Sequence, residues 1–169
     1  SECEKLQLKF TLDAEKMITE CVRTLYQESE LKSAVSQMLE RLGSFLSASR
    51  AYIVSIQEDS LCEDSQWSSG GAQAAAARRH NVPLSTIRRW LPSFDRHGYI
   101  VIEDVETLKD ADPAEYEFLH SQSIHSLVAA PMEMDGSLTG YLGVDNPSPD
   151  HMSNIASLLQ TLCYFLMLA

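Results

Sequence analysis

The sequence predicts an α+β domain with a mostly antiparallel central sheet, and three observations predict it. The stretch 126–147, SLVAAPMEMDGSLTGYLGVDNP, is two apolar runs joined by Asp135-Gly136. Asp-Gly between extended runs is a strong two-residue hairpin signal, because a type I′ turn needs φ > 0 at both central positions. Amphipathic helical patterns stand at both ends of the chain. Between them the elements do not follow the regular strand–helix–strand alternation of a parallel sheet.

The elements follow in order. Residues 1–12 read as a flexible N-terminal end, ahead of one domain over 13–169. Asp13 predicts the N-cap of a helix to about residue 27, in which Ala14, Met17, Ile18, Cys21, Val22 and Leu25 recur at three-and-four spacing. Ser29 predicts the cap of a second helix, whose buried face is Leu31, Val35, Met38, Leu39, Leu42, Phe45 and Leu46. Gly43 is a cost of about 1 kcal/mol within it. The β-branched and aromatic run 51–56 predicts the first strand, and 64–68 a second. Gly70-Gly71 breaks the chain. The alanine-rich stretch 72–80 predicts a helix ended by Pro83, and 85–91 a short helix stopped by Pro92. A strand is expected over 99–103. Asp112-Pro113-Ala114-Glu115 is a capping box with proline at the first helical position, so a helix should run to about residue 122. After the hairpin, Ser148-Pro149-Asp150 opens the last helix with a cap, a pre-set φ and a negative charge on the positive helix end.

The last helix carries a stripe of Ile155, Leu158, Leu159, Leu162 and Leu166 that suffices to dock it on the sheet. Phe165, Met167 and Leu168, with Tyr164 alongside, add apolar surface beyond that stripe. A lone surface helix keeps its other face polar. The surplus is therefore expected to meet another helix, either the first helix of the same chain or its counterpart in a second subunit.

Composition narrows the function. A formal charge of −11 on 169 residues disfavours a general nucleic-acid or anionic-membrane surface. The longest apolar run, 163–169, is far too short to span a bilayer, so no membrane insertion is expected. The chain stops within that run and reads as a fragment of a longer protein. Cysteines 3, 21, 62 and 163 form no Cys-x-x-Cys and no zinc-type cluster with histidine, which fits reduced thiols in a cytoplasmic protein. The five histidines are scattered, and no nucleophile–base or paired-carboxylate spacing stands out. No catalytic residue, metal or cofactor is named by the sequence.

The segment 74–90, AAAARRHNVPLSTIRRW, has the outline of a helix-turn-helix. It is embedded between strands, and the remainder of the chain is acidic. The expectation is a helical excursion over the sheet and no nucleic-acid partner, with Arg88 and Arg89 suited to an anionic ligand or an acidic partner surface.

Strand alternation locates a binding surface. In 138–145, Leu138, Gly140, Leu142 and Val144 should face the terminal helices. Thr139, Tyr141, Gly143 and Asp145 should face the other way, as a pocket floor with a gap at Gly143. Trp67, Trp90, Phe94 and Phe118 are the candidate walls of a small-molecule site with Tyr141 and Asp145.

The hairpin ending in "GYLGVDNP" is preceded by "GYIVIEDVETL" (98–108), "PAEYEFLHSQSI" (113–124) and "HSLVAAPM" (125–132), and followed by a closing helix. In this order they resemble the GAF domain, more narrowly the GAF domains found N-terminal to bacterial GGDEF modules. The resemblance implies a central antiparallel sheet with the N- and C-terminal helices on one face. The helical excursion would cover a ligand pocket on the other. It further implies a non-catalytic sensory domain of bacterial signal transduction, a homodimer through the terminal helices, and a downstream diguanylate cyclase producing cyclic di-GMP. The Asn-Lys-x-x-x-Phe-x-x-x-Asp-Glu signature of cyclic-nucleotide-binding members is missing, as is the adjacent Cys-His pair of bilin-binding ones. Two alternatives remain at this stage: a redox GAF enzyme using Cys62, and a DNA-binding regulator using the 74–90 segment.

Overall fold

The computed structural model describes residues 1–70 and 81–169. Its helices are α1 (Glu2–Gln27), α2 (Leu31–Phe45), α3 (Trp90–His97), α4 (Pro113–His120) and α5 (Met152–Leu168). Its strands are β1 (Arg50–Gln57), β2 (Ser60–Ser68), β3 (Val82–Pro83), β4 (Ile100–Ile102), β5 (Leu127–Met134) and β6 (Ser137–Asp145). They form one six-stranded sheet in the order β3-β2-β1-β6-β5-β4, antiparallel at every pairing. The hairpin pairs Met134 with Ser137, and Asp135 (φ 53°) and Gly136 (φ 80°) both take the positive φ that a type I′ turn requires.

Two cores flank the sheet. On one face α1, α2 and α5 bury Cys21, Leu39, Leu42, Leu159 and Leu162 against Ala51, Leu142 and Val144. On the other, α3, α4 and the connecting turns bury Trp90, Phe94 and Leu119 against Tyr52, Val54 and Tyr141. The stripe of α5 therefore meets the sheet as its spacing predicts, with α2 beside it, while the stripe of α1 packs mainly on α2 and α5.

Several boundaries differ from the sequence reading, each for a local reason. Helix α1 starts at Glu2 and not after Asp13. Ser1 Oγ caps it by accepting from the Glu4 N–H at 3.3 Å, acidic Glu2 and Glu4 favour its first turn, and no proline or glycine interrupts it. Helix α2 is preceded by Glu30, which makes no side-chain cap, so Ser29 does not cap it. The helix expected over 85–91 is a 3-10 turn, Leu84–Ile87, and α3 begins at Trp90. Pro92 does not stop it: at the third helical position the missing N–H is one that has no intrahelical partner anyway. Strand β3 was not foreseen. Its Pro83 is accommodated because the strand lies at the sheet edge. Ser148 makes no side-chain cap. The expected helix 72–80, with Arg78 and Arg79, lies outside the described residues.

Two bulges reassign side chains between the faces. In β2 the register slips at Asp64, since Ile53 pairs with Ser65 while Val54 pairs with Glu63. In β6 it slips at Thr139, since Met132 pairs with Gly140 while Glu133 pairs with Leu138. A bulge puts two residues opposite one and reverses the alternation beyond it. Trp67, which strict alternation from buried Leu61 would aim at the α3/α4 face, packs instead in the helix-face core. Leu138, expected to face the terminal helices, packs with the α3/α4 core.

Candidate ligand-binding site

The first four residues of β1 and the end of β6 build a buried polar cluster on the α3/α4 face. Arg50 and Asp145 are cross-strand partners, so their side chains share that face with Tyr52, two residues along. The Tyr52 hydroxyl donates to Asp145 Oδ1 at 2.6 Å. The phenol lies flat across β6 because its opposite number is Gly143: a Cβ there would come within 2.6 Å of the Tyr52 ring. The gap foreseen at Gly143 is thus filled by Tyr52.

Arg50 is 6% exposed. Its Nη2 donates to Glu63 Oε1 and Oε2 at 3.0 and 3.2 Å and to Gln66 Oε1 at 2.6 Å. Its Nη1 reaches Gln122 Oε1 at 3.4 Å, and the guanidinium sits 5.8 Å from the Tyr52 ring centroid. The bulge at Asp64 is what brings Glu63 and Gln66, three residues apart, to one face. Arg50 Nε is buried with no hydrogen-bond partner among the described residues. An orphaned buried donor costs about 1–3 kcal/mol, so a group that accepts from it is a gain.

Beside this cluster the candidate aromatics form a wall. Trp90 and Tyr141 meet edge-to-face at 5.4 Å between centroids, and Phe94 lies 6.3 Å from Trp90 and 6.1 Å from Tyr141. All three are buried. They fill the centre of the face more than they enclose space. Phe118 is half-buried and packs against the same core. Trp67 is on the opposite face and is not a wall of this site.

Arg88 and Arg89 are engaged as ties. Arg89 donates from Nε and Nη2 to the two Glu115 oxygens, both at 2.9 Å, and Trp90 Nε1 donates to Glu115 Oε2 at 3.0 Å. Arg88 Nε lies 3.6 Å from Asp112. Together they fasten the start of α3 to α4. Glu115, fully buried, does not close the expected capping box: its carboxylate is taken by Arg89 and Trp90, the Asp112 N–H donates to the Leu108 carbonyl, and the cap is made by Asp112 Oδ1 accepting from the Glu115 N–H. Asn146 holds its turn, Oδ1 accepting from the His125 and Ser126 N–H groups at 2.7 and 3.2 Å.

Cys62 follows Leu61, which lies in the α3/α4 core, so its thiol points to the opposite face. Burial pushes the Cys21 thiol up to about 11 and the Cys163 thiol up to about 12; both lie in the helix-face core. No set of thiols converges on the polar cluster among the described residues. Among those residues, too, no group of three or more His, Cys, Asp or Glu is placed to hold a metal. None of their helices is long and apolar enough to cross a membrane.

The GAF domain family model matches residues 30–169. This chain belongs to the GAF domain family. Solved structures agree on the fold. The phycocyanobilin-bound GAF domain from a cyanobacterial phytochrome superposes with a TM-score of 0.73 at 16% identity, covering 92% of each chain. The chromophore-binding domain of Stigmatella aurantiaca bacteriophytochrome, Thr289His mutant, gives 0.69 at 13% identity over 94% of this chain and 61% of that one. The A. aeolicus nlh2 GAF domain in an inactive state gives 0.64 at 16% identity, covering 94% and 98%. This GAF domain thus spans about three fifths of that bacteriophytochrome chain. No curated protein matches it by sequence.

Sequence reasoning named Asp145 and Tyr141 but missed Arg50, Tyr52, Glu63, Gln66 and Gln122. One signal was present: an arginine at the mouth of an otherwise apolar strand. Its partners come from segments 13 to 72 residues away, which no local pattern reveals.

Proposed function

We propose that this GAF domain is a non-catalytic sensory and regulatory module of a bacterial, cytoplasmic signalling protein. It binds a small organic ligand at the polar end of the α3/α4 face, in contact with Arg50, Tyr52 or Asp145 and with Phe118. The observation that carries this is the buried Arg50 guanidinium, whose Nε–H meets no acceptor among the described residues, beside a carboxylate, a phenol and aromatic surface. Fixed polar groups set beside an aromatic wall are what orient a ligand in a site of this kind. The alternative of a redox enzyme using Cys62 finds no support at this cluster, since that thiol points to the other face.

The route out is through the central strands. Arg50 and Asp145 sit one residue from Ala51 and Val144, which pack in the helix-face core, where α2 lies against β1 and α5 against β6. A ligand that repositions β1 against β6 shifts the seat of α5. Leu8, Leu12, Tyr164 and Leu168 are about half or more exposed on α1 and α5, and a groove of about 310 Å³ runs between these helices past Phe10, Ala14, Ile18 and Leu158. We assign this apolar surface to a homodimer. On the family resemblance alone, we assign the signal to a downstream diguanylate cyclase.

A thermal-shift screen of metabolites tests the ligand half. Binders should raise the melting temperature of the wild type and not that of Arg50→Lys, which keeps the charge and loses the Nε donor. Equal shifts in both proteins would refute it. Sedimentation tests the other half: Tyr164→Glu with Leu168→Glu should convert a dimer to a monomer.

A further inference from the structure

The α3/α4 face has a concavity at the end of the sheet opposite Arg50, beyond the aromatic wall. It measures about 410 Å³, within the range of small-molecule sites of about 300–1,000 Å³. Its floor is apolar: Ile56 from β1, Leu84 from the 3-10 turn, Leu91 and Phe94 from α3, and Leu138 from β6. Phe94 is buried and the four aliphatic side chains are half-buried. The bulge at Thr139 is what turns Leu138 into this floor.

The rim is acidic from three sides. Asp59 comes from the β1–β2 turn, Asp95 from α3 and Glu133 from β5, and among the described residues no Lys, Arg or His lines the groove. All three are exposed, and among the described residues none forms an ion pair. The Leu84 N–H donates to the Asp59 carbonyl at 2.8 Å, so floor and rim are tied together. Carboxylates without counter-ions around an apolar floor complement one ligand chemistry, an apolar body carrying a positive charge.

We infer that this groove binds a small organic cation, an aryl- or alkylamine, whose hydrocarbon part rests on Leu84, Leu91 and Leu138 and whose ammonium is held by Asp59, Asp95 and Glu133. The inference does not depend on the Arg50 site. The two are separated by the Trp90–Phe94–Tyr141 wall, with Phe94 the one residue shared.

The test is a titration followed by methyl NMR of Ile56, Leu84, Leu91 and Leu138. The probes are tryptamine, its neutral analogue tryptophol and the anion indole-3-propionate. Tryptamine should shift these methyls and bind at least about tenfold more tightly than tryptophol, with an advantage that shrinks as salt is raised. Asp95→Asn with Glu133→Gln, both at exposed positions, should erase the advantage and leave the spectrum otherwise folded. Equal affinity for tryptamine and tryptophol would overturn the inference. So would shifts confined to methyls of α1 and α5, or no response at millimolar tryptamine.

Discussion

Tyr52 and Asp145, 93 residues apart in sequence, join the two central strands through one 2.6 Å hydrogen bond from phenol to carboxylate. Asp145 is fully buried, so a donor to its carboxylate offsets a large desolvation cost. Tyr52→Phe should therefore lower unfolding free energy by about 1–3 kcal/mol, read by urea denaturation with an unchanged m-value. A variant as stable as the wild type would show that the bond carries no weight.

The Trp67 ring lies where a Gly43 Cβ would stand. In an exposed helix interior, glycine to alanine gains about 0.5–1 kcal/mol. Here the sign reverses, and Gly43→Ala should destabilise by about 1–3 kcal/mol through overpacking. The double variant with Trp67→Leu should recover part of that loss, giving a non-additive cycle. Additivity would mean that the two residues do not meet.

Glu115 accepts three N–H groups from Arg89 and Trp90. Glu115→Ala leaves the buried indole donor unpaired and should cost about 2–3 kcal/mol. Trp90 emission should shift as α3 loosens from α4. No change in either stability or emission would assign Glu115 a passive place.

Some of this was legible in the sequence. The Asp135-Gly136 turn, the Asp112 cap and the aliphatic stripes of the end helices are local patterns, and they fixed hairpin, α4 and core correctly. The side assignments of Trp67 and Leu138 were not legible, because each depends on a single bulged residue that leaves no mark in composition. Arg50 was missed for a different reason: its role exists only where β1, β2 and the turn after α4 converge. Glu115 matched a helix-capping pattern, which hid the task its carboxylate has in the structure, accepting from Arg89 and Trp90.

The thiols offer a pH test. Burial raises Cys21 to about 11 and Cys163 to about 12 from an ordinary 9.0. The folded state thus holds these protons more tightly than the unfolded chain. Their contribution to stability is complete below pH 9 and is lost as pH rises through the folded values. At pH 8 an aromatic disulfide reagent should modify exposed Cys3 first, then half-buried Cys62, and should reach Cys21 and Cys163 only on unfolding. Fast reaction of all four in the native protein would contradict the helix-face core.

The sensory claim is tested most directly by native mass spectrometry of the protein isolated from its own cells. The account predicts a small molecule retained at one per chain by the wild type and lost from Arg50→Lys, while the variant keeps the wild-type charge-state distribution of a folded domain. A molecule retained equally by both proteins, or none retained from any growth condition, would contradict a ligand sensor built on Arg50.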